Sequence, residues 1–208
     1  MYDRFSNIPL FWEIDAITCR ATETSPYRAQ AISRLELDSA SKVLDVACGT
    51  GLNFSLIQNY LKNQGKIIGI DLSPKTLDLA QKRIFKNGWT NIELIQTDSA
   101  EYKNEDAFDA VICTFAIEII PSFQDTIDVM INSVKPGGRI GIIGFKTSSW
   151  NCFRLFNSFF KNISVIFGGV DLNRNTREYI CDRCHEIFYK EVFGGYYYIL
   201  IAQTEIGR

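Results

Sequence analysis

The alternation of apolar and polar positions changes period repeatedly along this 208-residue chain. Val43 to Val46 is a short apolar run carrying one acid, long enough for a buried strand. Gly49 and Gly51 follow, and Leu52 to Leu61 is helical, with Leu52, Leu56, Asn59 and Tyr60 sharing a face. Further strands are predicted at Lys66–Asp71, Asn91–Thr97, Phe108–Phe115 and Ile140–Phe145. The run at 108–115 is almost continuously apolar, as a strand covered on both faces should be. Between the strands, helices are predicted from Ser73-Pro74 to about Asn87, with Leu77, Ala80, Gln81 and Ile84 inward, and from Asp125 to Val134. Lys135-Pro136-Gly137-Gly138-Arg139 reads as a tight turn before the last of these strands. Glu186–Phe193 and Tyr196–Gln203 flank Gly194-Gly195, a favoured hairpin turn. Ahead of the first strand, Leu10, Phe11, Trp12, Ile14 and Ile17 cover a broad helical face after Pro9. Pro26 opens a second helix to about Leu37, with Ala29, Ala31, Ile32 and Leu35 inward. Strands alternating with helices predict an α/β fold built on a mostly parallel sheet.

The chemistry gathers around the first glycine turn. A strand, a glycine turn and a helix form the first half of a nucleotide-binding crossover. Glycine permits positive φ and lets a ligand approach the backbone without a Cβ in the way. The dinucleotide fingerprint needs a third glycine for close helix–strand packing. Phe54 stands at that place, which argues against a nicotinamide cofactor. Asp71 closes the second strand 20 residues after Gly51, the offset of an acid that grips ribose hydroxyls; the simpler reading is a helix cap. Asp45 lies inside the first strand, where an acid needs a partner; local backbone N–H groups are the simplest one. Asp98 ends the third strand, a common place for a turn former.

Val43-Leu44-Asp45-Val46-Ala47-Cys48-Gly49-Thr50-Gly51 resembles the first motif of class I S-adenosylmethionine (SAM)-dependent methyltransferases. Asp71, Asp98, the Thr114–Glu118 strand exit and Lys135-Pro136-Gly137-Gly138 follow in that family's order and spacing, so the resemblance covers about residues 42–146. Asp71-Leu72-Ser73-Pro74 and Gly88-Trp89-Thr90-Asn91 resemble most the ubiquinone/menaquinone and phosphatidylethanolamine methyltransferase-like subgroup. The resemblance implies a Rossmann-like, seven-stranded, mostly parallel sheet with helices on both faces and a C-terminal antiparallel hairpin. It implies SAM as cofactor, with S-adenosylhomocysteine as product. Cofactor contacts are expected from Asp45, Ala47, Gly49, Gly51, Asp71, Leu72, Asp98, Ser99 and Thr114. Among these, Asp45 would face the amino group, Asp71 the ribose, and Asp98 the adenine amino group, with the Ser99 backbone on the ring. The implied reaction is in-line attack of an N, O or C nucleophile on the methyl carbon, in which alignment supplies most of the rate and a base is optional. Glu118 is the candidate catalytic residue, and simple solvation at a helix start is the alternative for it. Phe115, Glu118, Trp150 and Tyr2 are the candidate substrate contacts.

Composition narrows the acceptor. A formal net charge of −2 and the lack of a basic stripe argue against a nucleic-acid partner. No apolar run reaches a transmembrane length, and the first residues lack a signal-peptide core, which predicts a cytoplasmic protein. Acids near the N-terminal helix offset Arg4, Arg20 and Arg28, leaving only transient membrane contact. Aromatic residues make up 13% of the chain and crowd the stretch 147–176. Packing on the body accounts for that stretch; a mobile apolar wall over the acceptor is the sharper reading. An aromatic wall suits a quinol-like ring, or an amine that becomes cationic. The expected acceptor is therefore a small molecule or a lipid headgroup.

The layout is one methyltransferase domain over 1–208. It comprises a helical cap (1–40), a SAM-binding core (42–146), an aromatic lid-like segment (147–176) and a hairpin (186–204). Nothing in the sequence points to an oligomeric state. Cys181-Asp182-Arg183-Cys184-His185 spells a haem-attachment motif, but without an export signal these read as structural cysteines, and no metal is expected. Two rivals stay open: a non-catalytic SAM-binding partner subunit, and a nicotinamide-dependent oxidoreductase.

Overall fold

The computed structural model describes residues 26–103, 107–150, 157 and 170–205. Helix α1 (Pro26–Ile32) precedes β1 (Lys42–Val46), α2 (Phe54–Leu61), β2 (Lys66–Asp71), α3 (Pro74–Asn87) and β3 (Ile92–Gln96). Then come β4 (Phe108–Thr114), α4 (Phe123–Ser133), β5 (Val134–Phe145), α5 (Thr176–Cys181), β6 (His185–Val192), a 3₁₀ turn (Phe193–Gly195) and β7 (Tyr197–Gln203). The expected N-terminal helix with Tyr2, and most of the aromatic stretch 147–176, lie outside the described residues.

The strands form one seven-stranded sheet in the order β3-β2-β1-β4-β5-β7-β6. Strands β1 to β5 pair in parallel, and β7 runs antiparallel between β5 and β6. The expected architecture is therefore observed, hairpin included. Chain order reverses direction between β1 and β4, and a crevice opens at such a switch point beyond the carboxyl ends of the strands.

Each face of the sheet carries its own apolar layer. One joins Ala31, Ile32 and Leu35 with Phe54, Ile57, Leu61, Ala80 and Ile84. The other joins Leu44, Val46 and Ile70 with Ile117, Ile127, Met130, Ile180 and Tyr198. Successive residues of a strand face opposite ways, so Tyr197 packs with the first layer and Tyr198 with the second.

Three expectations need correction. In α2, which begins at Phe54, the centre of the inward face is Phe54, Ile57, Gln58 and Leu61, with Leu56 and Tyr60 half-buried at its margin. In α3, Gln81 is exposed, and Thr76 takes an inward place. Lys135–Arg139 is not a separate turn: β5 starts at Val134 paired to Phe108, slips register, and resumes at Arg139 opposite Ala110.

The missing third glycine has a packing explanation. A Cβ on Gly51 would lie 2.4 Å from the Phe54 ring, and one on Gly69 would lie 2.9 Å from it. The ring thus fills the gap between α2 and β2 that two glycines leave open, and Phe54 is wholly buried.

Candidate active site at the C-terminal edge of the sheet

Three strand ends converge on the crevice. The loop after β1 runs through left-handed backbone at Ala47 (φ 51°), Gly49 (φ 55°) and Gly51 (φ 75°). The Gly49 N–H donates to Asp71 Oδ2 at 2.8 Å, tying this loop to the end of β2. Asp71 Oδ1 accepts from the Ser73 N–H and the Thr76 hydroxyl, so the carboxylate is fixed with lone pairs to spare. A Cβ added to Gly49 would meet no atom within 4 Å, which leaves the backbone there open to a ligand.

Asp45 is fully buried. Its Oδ1 accepts from Asn53 Nδ2 at 2.9 Å, while Oδ2 has no hydrogen-bond partner. Burial pushes its carboxyl up to about 7, against the pull of the Asn53 hydrogen bond and the Arg28 charge. Its partner is thus an amide side chain, where local backbone N–H groups were the simplest expectation. Asn53 precedes α2 yet makes no capping bond, because its amide is turned to Asp45 and to Thr114 Oγ1. Arg28 reaches in from α1, donating to Asn53 Oδ1 at 2.7 Å and to Thr114 Oγ1, with its guanidinium 5.0 Å from the Phe115 ring centroid.

Asp98 accepts the Ala100 N–H, closing a turn, and the buried Ser99 hydroxyl lies 2.9 Å from Thr126 Oγ1. Leu72 is exposed beside Asp71. Phe115, at φ 58°, follows β4 and packs against Phe145 and Tyr197, with ring centroids 5.4 Å away in each case. Tyr197 stacks on the exposed Phe193 at 4.8 Å. Trp150 is half-exposed against the β6–β7 turn, about 3.1 Å from where a Gly195 Cβ would stand.

Glu118 overturns the solvation reading. It is 1% exposed, in the loop ahead of α4, and its Oε1 accepts from Tyr198 OH at 2.7 Å. A Gly144 Cβ would collide with both groups, so the glycine makes room for the pair. Glu118 Oε2 lacks a partner, and burial pushes the carboxyl up to about 7. Beyond Tyr198 a cavity of about 590 Å³ opens between α5 and β6. Its cations are already engaged, Arg177 with Glu186, Lys146 with Glu191, and Arg174 with the Ile117 and Ile120 carbonyls.

Other signals fall elsewhere. His185 is exposed and pairs with Gln203, which in turn pairs with Arg139, at the edge of the sheet opposite the crevice. Cys181 is exposed and Cys184 buried in the core.

Arg28, Asn53 and Tyr198 were missed in the sequence. Arg28 had a signal, since it shares the i, i+3, i+4, i+7 stripe of Ala31, Ile32 and Leu35. Ala29, expected inward, is exposed.

The model of the ubiE/COQ5 methyltransferase family matches residues 24–186, well over half the chain. The chain belongs to that family. Its cofactor is S-adenosylmethionine, and it is a SAM-dependent methyltransferase. A demethylmenaquinone methyltransferase of Shouchella clausii is 24% identical over 172 residues, 82% of this chain and 73% of that protein. Among solved structures, an O-methyltransferase family protein from Burkholderia thailandensis superposes with a TM-score of 0.74 at 20% identity, covering 99% of this chain and 63% of that one. The geranyl diphosphate C-methyltransferase of Streptomyces coelicolor, in complex with S-adenosylhomocysteine, gives 0.72 at 12% identity over 86% and 80%. These two likenesses are likenesses of fold. Among the described residues of this family member, no helix is long and apolar enough to cross a membrane.

Proposed function

We propose that this family member methylates a quinol-like aromatic acceptor, held against the Phe115–Phe145–Tyr197–Phe193 wall. The observation that carries the reading is that wall. Four rings stand in one cluster across the adjoining ends of β4, β5 and β7, on the same edge of the sheet as the glycine loop after β1 and Asp71 at the end of β2. The Shouchella relative, named for a demethylated menaquinone, supports the same acceptor class.

The residues present suit the cofactor. Asp45 Oδ2 is buried without a partner and suits an ammonium, Gly49 offers bare backbone, and Asp71 retains acceptor capacity for ribose hydroxyls. Asp98 and Ser99 are assigned to the adenine end, with Ala47, Gly51, Leu72 and Thr114 shaping the walls. When bound, S-adenosylmethionine supplies an electrophilic methyl group on a sulfonium that is already a good leaving group. The protein's work is then alignment and exclusion of water, effects that reach effective molarities of about 10⁵–10⁸ M in positioned reactions. An aromatic wall excludes water and orients a flat ring against the methyl. Glu118, paired to Tyr198 on the other face of the sheet from that wall, is kept as the candidate proton acceptor, with its carboxyl raised to about 7. Transfer is written to carbon or oxygen of the ring, and the compartment as cytoplasmic with passing contact to a lipid surface.

The test is formation of S-adenosylhomocysteine from SAM with a reduced, ring-demethylated naphthoquinol, against phosphatidylethanolamine vesicles. Turnover on the quinol alone is the expected result. Turnover on the amine alone would replace the acceptor, and none on either would favour a binding subunit.

A further inference from the structure

We propose that Arg28 is a positioning residue of the cofactor's amino-acid subsite, acting through Asn53 to hold Asp45 with one carboxylate oxygen pinned and the other presented to an ammonium group. This inference rests on the cofactor site described above. The geometry comes from three elements: Arg28 on α1, Asn53 ahead of α2, and Thr114 at the end of β4. Asn53 works in both directions, since its carbonyl accepts from Arg28 while its amide donates to Asp45 at 2.9 Å. The Arg28 contact therefore fixes which way the amide points. With the amide so fixed, Asp45 Oδ1 is satisfied and Oδ2 is left without a partner in a fully buried setting. An unpaired buried carboxylate oxygen is costly unless a ligand donor completes it. A cationic amino group donates and neutralises together.

Among the described residues, the charges facing Asp45 oppose each other. From α1, Arg28 favours the ionised carboxylate; from the end of β2, Asp71 opposes it. Cys48 in the glycine loop and Cys113 on β4 face it as thiols whose ionisation burial disfavours. With the Asp45 carboxyl near 7, ligands that carry the ammonium bind more tightly as pH rises through neutrality and level off above it. Removing Arg28 moves that rise to higher pH.

The experiment is calorimetric binding to the whole chain between pH 6 and 8.5 with three ligands. S-adenosylhomocysteine carries amino and carboxylate groups, decarboxylated S-adenosylmethionine only the amino group, and methylthioadenosine neither. Arg28→Gln is expected to weaken the two amino-bearing ligands about fivefold at pH 7 and nearly tenfold at pH 6, the result of a rise of about one pH unit at Asp45, and methylthioadenosine by less than about twofold. The gap should narrow toward pH 8.5. Asn53→Ala should reproduce the pattern with Arg28 still in place, and Arg28→Lys should restore part of the loss. Circular dichroism confirms that each variant is folded. Loss of S-adenosylhomocysteine binding alone would make Arg28 a direct carboxylate ligand and overturn the positioning role. Equal loss for all three ligands would reduce Arg28 to scaffolding and overturn it as well. Failure of the wild type to bind any of the three would instead remove the cofactor site beneath the inference.

Discussion

Glu118 offers a quantitative test, because its carboxyl is enclosed and the substitution Glu118→Gln keeps its shape. The group sits at about 4.5 when exposed and is raised to about 7 in the fold, chiefly by desolvation. The unfolded chain therefore gives up this proton first as pH rises. Stability contributed by the neutral carboxyl is complete below pH 4.5 and is lost as pH climbs through about 7. At about 1.4 kcal/mol per pH unit, the full interval corresponds to about 3 kcal/mol, of which about 2–3 falls between pH 5 and 8.5. Glutamine retains the acceptor for Tyr198 OH but has no proton to lose, so the variant should match the wild type at pH 5 and exceed it by that amount at pH 8.5. Urea unfolding followed by fluorescence across this range reads the difference as a midpoint shift on the order of 1 M. Asp45 contributes a slope of the same sign in both proteins and cancels in the comparison. Parallel stability curves for the two proteins would refute the reasoning, since they would mean Glu118 is ionised in the folded state at all these pH values. The same variant should lose turnover on an acceptor while keeping its affinity for S-adenosylhomocysteine. Equal turnover would confine Glu118 to the packing of its loop.

Three further outcomes follow from the glycine loop. Asp71→Asn leaves one acceptor oxygen where two now serve Gly49, Ser73 and Thr76; it should weaken S-adenosylhomocysteine binding about tenfold or more in calorimetry while the chain stays folded with a melting temperature lowered by a few degrees, and unaltered affinity would end the ribose assignment. Phe54→Ala empties the space between Gly51 and Gly69 and should cost about 3–5 kcal/mol in urea unfolding without conferring NAD binding. Gly51→Ala, whose Cβ would strike that ring, should cost less in the Phe54→Ala background than in the wild type, and additive costs would mean the contact is not what limits residue 51.

The local features were legible in the chain because they depend on local spacing. The apolar run before Gly49, the acid closing β2 and the alternation of strand and helix patterns all lie within short windows, and they set the sheet and its crevice. The α2 face differs because Phe54, Ile57 and Leu61 form the centre of the buried stripe, one residue or about 100° round from Leu56 and Tyr60, which flank it half-buried. The start of β5 was misread because Pro136 and Gly137 spell a turn, while pairing with Phe108 and then Ala110 keeps them in an irregular strand. The polar site was decided only in three dimensions. Arg28 meets Thr114 across 86 positions of sequence, Asn53 meets Thr114 across 61, and Tyr198 meets Glu118 across 80. Whether a buried polar group is an anchor, a base or a fault depends on the group that faces it, and at these distances along the chain no periodicity records the partner. Sequence alone determined that an acid would stand in β1 and another at the strand exit. Burial and the sheet order determined that each keeps one oxygen without a partner.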